Sequence, residues 1–213
     1  MAKTFFSYTP LELLNTLKTM GITEGDTVLM HSAFRVLNGF DGTPDQVIAC
    51  VLNVIGESGN LVMVSLPYTR STAAYLQTGI PFDVQHTMSA MGIITEMFRH
   101  QPGVVRSINP AHPILACGPA APWLIADHEH IMYSCGKGLP FEKLVHMQAK
   151  ALFFDVSLRS MTFFHYLEDL FQDTLPVKLY EEMPVESTVI DASGKTRIVK
   201  TYVFSTIQDV IAI

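Results

Sequence analysis

The residues with the clearest chemical potential are His165 and Glu168. They lie three positions apart on a predicted helix, so their side chains are neighbours on its surface and can act together. His165 falls in the first turn after Thr162, the predicted N-cap, where the helix dipole disfavours imidazolium and helps to keep the ring neutral. A neutral imidazole is what a general base requires. The alternative is an exposed pair without a chemical role, because such helix pairs are common and contribute little.

Other groups of reactive residues lack the partners that their chemistry needs. Metal binding is the rival use of His with Glu, but no second His-x-x-Glu or His-x-x-x-His pattern completes a site. The cluster His128-Glu129-His130 lies in a polar stretch, which predicts a solvated position. Cys135 has no local nucleophile signature, and Gly136-Lys137-Gly138 lacks the full phosphate-binding motif. A hydrolase elbow is not indicated at His31-Ser32, since Gly-x-Ser-x-Gly is absent.

The composition is that of a globular protein with an acidic surface. The 213 residues are 48% hydrophobic and 16% charged, which suffices for one domain with a substantial core and a pocket. The formal charge of −6 leaves no surplus of lysine and arginine to release counterions from nucleic acid. We therefore expect no nucleic-acid partner, and a cationic small molecule suits the charge better.

The sequence predicts a cytoplasmic protein. Its longest apolar runs fall far short of the about 20 residues that span a bilayer, so no membrane partner is expected. The segment Met1 to Phe6 lacks the long apolar core of a signal peptide. Cys50, Cys117 and Cys135 show no Cys-x-x-Cys spacing, which is typical of reduced thiols rather than of a disulfide framework or a zinc site.

Helices and strands mostly alternate along the chain. Capping patterns at Thr9-Pro10-Leu11-Glu12 and Thr43-Pro44-Asp45-Gln46 predict two helices, Ser89 to His100 predicts a third with Gly92 inside it, and a fourth begins at Thr162. Short β-rich runs predict buried strands at 26–30, 60–66, 114–117 and 150–156. A further short helix is predicted near 122–127, whereas 67–84 and 135–140 have the composition of loops.

This alternation favours a three-layer α/β/α fold with a mainly parallel central sheet. Two β-rich runs, 186–191 and 196–204, flank Ser193-Gly194, which predicts an antiparallel C-terminal hairpin added to that sheet. Residues 1–213 then form a single domain. Within it, the loop at 67–84 is the expected position of a lid.

Several segments follow one family pattern when they are taken together. They are Gly25-Asp26-Thr27-Val28-Leu29-Met30-His31-Ser32, Pro81-Phe82-Asp83, Met91-Gly92 through Phe98-Arg99, Pro102-Gly103-Val104-Val105-Arg106-Ser107, Asn109-Pro110-Ala111-His112, Cys117-Gly118-Pro119 and Val156 to Glu168. In combination they resemble the aminoglycoside 3-N-acetyltransferase family, also known as the antibiotic N-acetyltransferase fold. The resemblance covers residues 9–172.

The resemblance implies direct transfer of an acetyl group from acetyl-CoA to an amine. His165 would take the proton of the amine, with Glu168 as its catalytic partner, and no covalent enzyme intermediate is needed. The turn at His31, Ser32 and Arg35 would lie along acetyl-CoA. Hydrogen-bond donors near Thr162 would face the thioester oxygen. For the acceptor, the resemblance suggests Asp83 and His112.

The chain also departs from the family pattern. The family usually has Ser at Ala33, His at Asn109, Ser at Pro113 and Asn at Met161. Its members generally continue for several dozen residues, and an acidic residue there orients the catalytic histidine, whereas this sequence has Thr201-Tyr202-Val203-Phe204 in that region and ends at Ile213. Either Glu168 replaces that acid, or activity is reduced or lost.

The sequence therefore predicts a coenzyme-A-dependent N-acyltransferase with an amino sugar or aminoglycoside-like amine as acceptor and no metal in its site. One alternative is a non-catalytic relative that binds coenzyme A or a protein partner. A metal-dependent hydrolase is a further alternative. The sequence leaves the acceptor, the acyl chain and the oligomeric state open, with a homodimer as one option.

Overall fold

The fold is built on a five-stranded central sheet and a smaller second sheet. The computed structural model describes residues 7–35 and 38–205. Its strands are β1 (Thr27–Ser32), β2 (Asn60–Val64), β3 (Phe82–Asp83), β4 (Val105–Arg106), β5 (Ile114–Cys117), β6 (Lys150–Phe154), β7 (Val185–Ile190) and β8 (Thr196–Thr201). Its α-helices are α1 (Pro10–Thr19), α2 (Pro44–Ile55), α3 (Thr72–Gln77), α4 (Ile93–Arg99), α5 (Ala121–Ile125), α6 (Pro140–His146) and α7 (Phe164–Leu170).

The central sheet is mainly parallel, as predicted. Its strand order is β4-β5-β2-β1-β6. Strand β1 pairs in parallel with both β2 and β6, while β5 runs antiparallel to its neighbours β2 and β4. Four of the five strands therefore point the same way, and the carboxyl ends of β1, β2 and β6 meet at one edge. Open α/β sheets bind their ligands at this edge.

Helices cover both faces of the central sheet, which confirms the three-layer arrangement. On one face Leu17 of α1, Val51 of α2 and Phe98 of α4 pack against Val28 and Met30 of β1. On the other face α5, α6 and α7 bring Leu124, Phe141 and Tyr166 against Leu29. Alternate residues of a strand point to opposite faces. Because Leu29 faces α7, His31 lies on the side of the sheet that α7 covers.

Local capping explains why the first two helices begin where the sequence predicts. The Glu12 carboxylate accepts a hydrogen bond of 2.7 Å from the Thr9 amide, and Thr9 Oγ1 accepts one from the Glu12 amide. In α2 the Gln46 side chain accepts from the Thr43 amide at 2.9 Å. Each contact satisfies an amide that the helix itself leaves without a partner.

The predicted C-terminal hairpin is confirmed, but it belongs to the second sheet. Strands β7 and β8 pair antiparallel, and β3 pairs in parallel with β7, so the order is β3-β7-β8. Phe82, Val189 and Val199 are buried in a cluster of their own. The hairpin joins β3 because this cluster gives its apolar side chains a separate core. Part of the predicted lid, at 82–83, is thus a strand.

Several local predictions were wrong. Gly92 is not inside a helix: its φ of 105° belongs to the left-handed region, and α4 begins after it at Ile93. Thr162 is not the N-cap of α7, because Phe163 precedes that helix with helical angles of −55° and −22°. The short helices α3 and α6 lie within or beside predicted loops. Pro140 in the first turn of α6 was a signal for that helix.

Candidate active site

Two connected segments bring His165 to the carboxyl edge of the central sheet. Strand β6 ends there at Phe154, and the chain continues through a 3₁₀ turn, Leu158–Ser160, into α7. His165 is the second residue of α7, and its amide donates to the carbonyl of Thr162 at 3.0 Å. Tyr166, next along α7, packs into the core below. The buried side of the helix therefore fixes the backbone from which His165 projects.

His165 and Glu168 form the pair that the sequence predicts. Nδ1 of His165 lies 2.7 Å from Oε2 of Glu168, and 36% of the His165 side chain and 20% of the Glu168 side chain are exposed. An ionised carboxylate only accepts hydrogen bonds, so the imidazole proton lies on Nδ1. The second nitrogen, Nε2, then carries the lone pair and can receive a proton from a substrate.

Two aromatic side chains flank the imidazole of His165. The ring of Phe204 lies 4.5 Å away between centroids, and the ring of His112 lies 5.5 Å away. Phe204 also meets His112 edge-on at 5.6 Å. The two rings cover part of the His165 side chain and limit its rotation.

His112 connects the candidate base to a buried polar network. Nδ1 of His112 hydrogen-bonds to Ser134 Oγ at 2.6 Å. The Ser134 carbonyl accepts from His128 Nε2 at 2.9 Å, and His128 Nδ1 lies 2.8 Å from Ser107 Oγ. Since a carbonyl cannot donate, His128 carries its proton on Nε2 and accepts from Ser107 through Nδ1. The network is thus complete with neutral imidazoles.

Asn109 holds the backbone of this network in place. Its side-chain oxygen accepts from the amides of Ala111 and His112 at 3.0 and 2.9 Å, and its amide group donates to the carbonyl of His128 at 3.0 Å. The family usually has His at this position. Here Asn109 is buried and fully occupied in positioning its neighbours.

The prediction that His128 is solvated was wrong, because its side chain is completely buried. Its polar neighbours in sequence favoured an exposed position, but Ser107, 21 positions away, and Ser134, six positions away, supply both hydrogen bonds inside the fold. Burial lowers the pKa of His128 to about 4 and also lowers the pKa of His112. Both imidazoles are therefore neutral near pH 7, and the ring of His112 borders that of His165.

Acid should destabilise the fold through this network. The pKa of His128 is about 4 in the folded chain and ordinarily about 6.5, so the unfolded chain binds the proton first. Its contribution to stability is complete above pH 6.5 and is lost as the pH falls towards 4. That contribution is roughly 3 kcal/mol. Urea denaturation from pH 7.5 to about 4.5 should show falling stability.

The matched control for this experiment is His146→Ala, because His146 is exposed at the end of α6. His128→Asn should flatten the pH dependence of unfolding by about one proton, whereas His146→Ala should leave it as steep as in the unaltered protein. An unchanged slope in His128→Asn would contradict the assignment.

The predicted acetyl-CoA residues lie at the carboxyl end of β1. His31 and Ser32 are its last two residues, so they belong to the strand and not to a turn after it. Nε2 of His31 and Oγ of Ser32 are buried polar atoms without a hydrogen-bond partner among the described residues. The His31 ring stacks on Phe153 at 5.1 Å, and burial lowers its pKa to about 4. A buried polar atom without a partner costs about 1–3 kcal/mol, so a ligand there would stabilise the fold.

Arg35 and Thr162 lie close to the same edge. The amide of Arg35 donates to Asp155 Oδ2 at 2.9 Å, and its guanidinium lies 4.0 Å from Oδ1 with 69% of the side chain exposed. Thr162 precedes α7, and its amide donates to Ser160 at 3.0 Å. Asp155 therefore joins the end of β6 to the segment after β1, and the Arg35 side chain remains available to a ligand.

The structure places Asp83 in the second sheet, whereas the histidine pair lies on α7. Asp83 ends β3 in the second sheet, where its Oδ1 accepts from the amides of Gln85 and His86 and its Oδ2 lies 3.0 Å from the His86 ring. These contacts lower its pKa, although partial burial raises it. None of its hydrogen bonds among the described residues reaches His165 or Glu168. His112, the other predicted acceptor residue, does meet His165.

A cavity of about 310 Å³ lies beside α7, but His165 does not line it. Its walls include Tyr133, Gly136, Tyr166 and Asp169. The sequence motifs do not single out Asp169, although it follows His165 by four positions, one turn along the same face of α7. The signal that could have found it is an acidic residue within an otherwise apolar helical stripe.

Two alternative chemistries receive no support from the geometry. Within residues 7–35 and 38–205, no group of three or more histidine, cysteine or carboxylate side chains could hold a metal ion. The Cys135 thiol is fully buried, and burial raises its pKa, which opposes formation of the thiolate that a nucleophile requires.

Within residues 7–35 and 38–205, no helix is long and apolar enough to cross a membrane.

Comparison with known proteins decides the family. The family model for aminoglycoside 3-N-acetyltransferases matches residues 29–210. The chain belongs to this family. The match includes His31 and Ser32 at the end of β1, the Asn109–His112 segment and α7 with His165, so the family assignment covers every candidate site residue named above.

Relatives within the aminoglycoside 3-N-acetyltransferase family share about a quarter of their residues with the chain. Aminoglycoside N(3)-acetyltransferase III from Acinetobacter baumannii is 27% identical over 173 residues, which are 76% of this chain and 60% of that protein. Aminoglycoside N(3)-acetyltransferase VII from Streptomyces paromomycinus is 30% identical over 181 residues, with the same two coverages. The chain thus spans about 60% of the length of these relatives.

A solved structure of a family member confirms the fold. AAC-IIIb in a binary complex with CoASH superposes with a TM-score of 0.76 at 26% identity, over 93% of this chain and 76% of that chain. The architecture of the two sheets and their helices is therefore the family architecture.

Proposed function

We propose that the chain is an acetyl-CoA-dependent N-acetyltransferase whose acceptor is an aminoglycoside or a related amino sugar. The observation that carries the proposal is the 2.7 Å contact between His165 Nδ1 and Glu168, which leaves Nε2 available as a base. Membership of the aminoglycoside 3-N-acetyltransferase family supports the reaction, and a related structure with CoASH supports the donor.

The chemistry that the residues provide is proton removal and orientation. Nε2 of His165 takes a proton from the ammonium group of the acceptor, and the freed lone pair of the nitrogen attacks the thioester carbonyl that acetyl-CoA supplies. As the carbon–nitrogen bond forms, the carbon–sulfur bond breaks, and the thiolate of coenzyme A leaves with the second nitrogen proton as the free thiol. Glu168 stabilises the imidazolium that forms and keeps the ring in the required tautomer. A positioned base contributes about 10²- to 10⁴-fold, and holding two reactants together contributes up to about 7–11 kcal/mol.

The residues at the carboxyl end of β1 fit acetyl-CoA, the donor of the acetyl group. Coenzyme A carries a chain with two amide groups, and His31 Nε2 and Ser32 Oγ are buried polar atoms that lack partners among the described residues. Arg35, with its exposed guanidinium, suits a phosphate group of the nucleotide part. The backbone around Thr162 lies next to His165, where hydrogen-bond donors would face the thioester oxygen.

His112 supports the base rather than the acceptor. Its ring lies 5.5 Å from the His165 ring, and its Nδ1 is occupied by Ser134. A buried neutral imidazole does not repel the imidazolium that His165 becomes, so it serves as a fixed wall. Acceptor recognition is then assigned to other groups near α7 and, as the family resemblance suggests, to Asp83.

The experiment that tests the proposal follows release of the free thiol of coenzyme A. Purified protein is mixed with acetyl-CoA and the aminoglycoside sisomicin, and the product is examined for one added acetyl group by mass spectrometry. We expect amine-dependent thiol release. Reactions without the amine give the background rate of hydrolysis.

The non-catalytic alternative predicts a different result. Binding of coenzyme A measured by calorimetry, without turnover of any amine in a panel, would favour a relative that only binds the donor. The chain spans about 60% of the length of its curated relatives. The assay therefore tests whether the segment that it shares with them suffices for activity.

Cytoplasmic location and a homodimer stay predictions. The proposed reaction consumes acetyl-CoA, which is a cytoplasmic metabolite, and this supports a cytoplasmic location. Gel filtration of the purified protein would determine its oligomeric state.

A further inference from the structure

The cavity beside α7 has a size and lining that suit part of a small molecule. Its volume is about 310 Å³, at the lower end of the range for ligand pockets. Gly136 and Lys137 form one side, and Tyr166, Asp169 and Asp173 form the other. The proposed mechanism uses none of these residues, so the cavity is without a role in the reaction described above.

One carboxylate oxygen of Asp169 has no partner in this cavity. The residue as a whole is buried, with an exposed fraction of 8%. Oδ1 accepts a 2.7 Å hydrogen bond from the Tyr180 hydroxyl, while Oδ2 makes no hydrogen bond or ion pair among the described residues. The acceptor capacity of Oδ2 is therefore available to a cation or a hydrogen-bond donor in the cavity.

Glycine at position 136 keeps the space in front of this oxygen open. A Cβ at Gly136 would lie 2.8 Å from Asp169 Oδ2 and 3.3 Å from Tyr133 Cβ. Any other residue would therefore crowd the carboxylate and the adjoining ring. The free oxygen and the open space in front of it are two independent features of one site.

Aromatic rings complete the surroundings of the carboxylate. Tyr133 and Tyr166 line the cavity, and the Tyr133 ring lies 4.9 Å from that of Tyr180. The faces of aromatic rings attract cations. Lys137 lies at the rim, where it is exposed and forms no ion pair within the described residues; Asp173, also exposed, adds a second negative charge there. The buried part of the cavity thus favours a positive ligand.

Helix α7 and two aromatic side chains connect the cavity with His165, the candidate base. Asp169 follows His165 by four positions on α7, which places the two side chains on one face, about 5–6 Å apart at their Cβ atoms. Phe204 stacks on Tyr180 at 5.0 Å and lies 4.5 Å from His165. A molecule with several amines could place one at His165 and another in the cavity.

We propose that this cavity is a second ammonium subsite, in which Asp169 pairs with a protonated amine of the acceptor while a neighbouring amine of the same molecule meets His165. The inference rests on the proposed function, because it takes the acceptor to be an amine, and it narrows the acceptor class to molecules with at least two amines. Tyr180 orients the carboxylate, and Tyr133 contacts the bound cation through its ring.

Calorimetry without acetyl-CoA tests the subsite separately from catalysis. The probes are sisomicin, which has several amines, and cyclohexylamine, which has one. We expect Asp169→Asn to weaken sisomicin binding by about 10- to 100-fold, as the loss of a charge-assisted hydrogen bond predicts. Gly136→Ala, which retains the charge but fills the space in front of it, should weaken binding in the same direction. Neither change should strengthen the binding of cyclohexylamine.

Glu182→Gln is the matched control, because it removes one negative charge from an exposed pair with Lys178 outside the cavity. It should bind sisomicin within about threefold of the unaltered protein. Equal binding by Asp169→Asn and the unaltered protein would overturn the subsite, as would failure of the unaltered protein to bind sisomicin. Loss of binding in both cavity variants, in a protein that turns over no amine, would uphold the subsite and reject the proposed function.

Discussion

Replacement of His165 with alanine is expected to lower kcat for acetyl transfer by about 10²- to 10⁴-fold, the usual contribution of a positioned general base. The KM values for acetyl-CoA and for the amine should change little, because the imidazole acts on the proton that moves in the transition state and not on groups that hold either substrate. Thiol release from acetyl-CoA measures both quantities.

His146→Ala is the control for this change. It removes a histidine that is exposed at the end of α6, so it should retain the activity of the unaltered protein. His165 is 36% exposed at its side chain, and its loss should leave the melting temperature within a few degrees. If His165→Ala were as active as the unaltered protein, His165 could not be the base.

Glu168→Gln should be the second most damaging change, with kcat lower by about 10- to 100-fold, as for other groups that orient a catalytic histidine. The side-chain amide introduced at position 168 can donate a hydrogen bond to Nδ1 of His165 as well as accept one from it. It therefore stabilises the His165 tautomer whose proton lies on Nε2. In that tautomer the nitrogen that faces the substrate has no lone pair. The effect should fall on kcat and leave KM nearly unchanged.

Nitrogen NMR of the imidazole separates this role from a merely structural one. In the unaltered protein the His165 signals should show a proton on Nδ1 held by the 2.7 Å contact with Glu168, and in Glu168→Gln the Nε2-protonated form should become populated. An unchanged tautomer together with a normal kcat would remove Glu168 from the mechanism.

The parts of the fold that depend on nearby residues could be predicted from the sequence. Thr9 and Glu12 cap α1 within one turn, and His165 and Glu168 are neighbours because a helix brings residues three apart together. Gly92 shows where this reasoning fails. Its backbone conformation ends a turn and starts α4, whereas its apolar neighbours suggested a helix interior.

Contacts between distant segments determine the rest of the candidate site, and the sequence gives no direct sign of them. Burial of His128 depends in part on Ser107, which lies 21 positions earlier in the chain. In the same way, the free oxygen of Asp169 becomes notable only when Tyr180 and Gly136 are known to lie against it. A helical stripe could place Asp169 near His165, but only tertiary structure shows the cavity.

The position of the Phe204 ring determines the stage of synthesis at which the candidate site around His165 is complete. Phe204 follows the second hairpin strand, yet it lies 4.5 Å from His165 and 5.6 Å from His112. A nascent chain that has left the ribosome only as far as α7 already contains both histidines, but the Phe204 ring that packs against them is still missing. The side chain of His165 would then be less restrained, so the segment that carries Phe204 completes the candidate site when it docks.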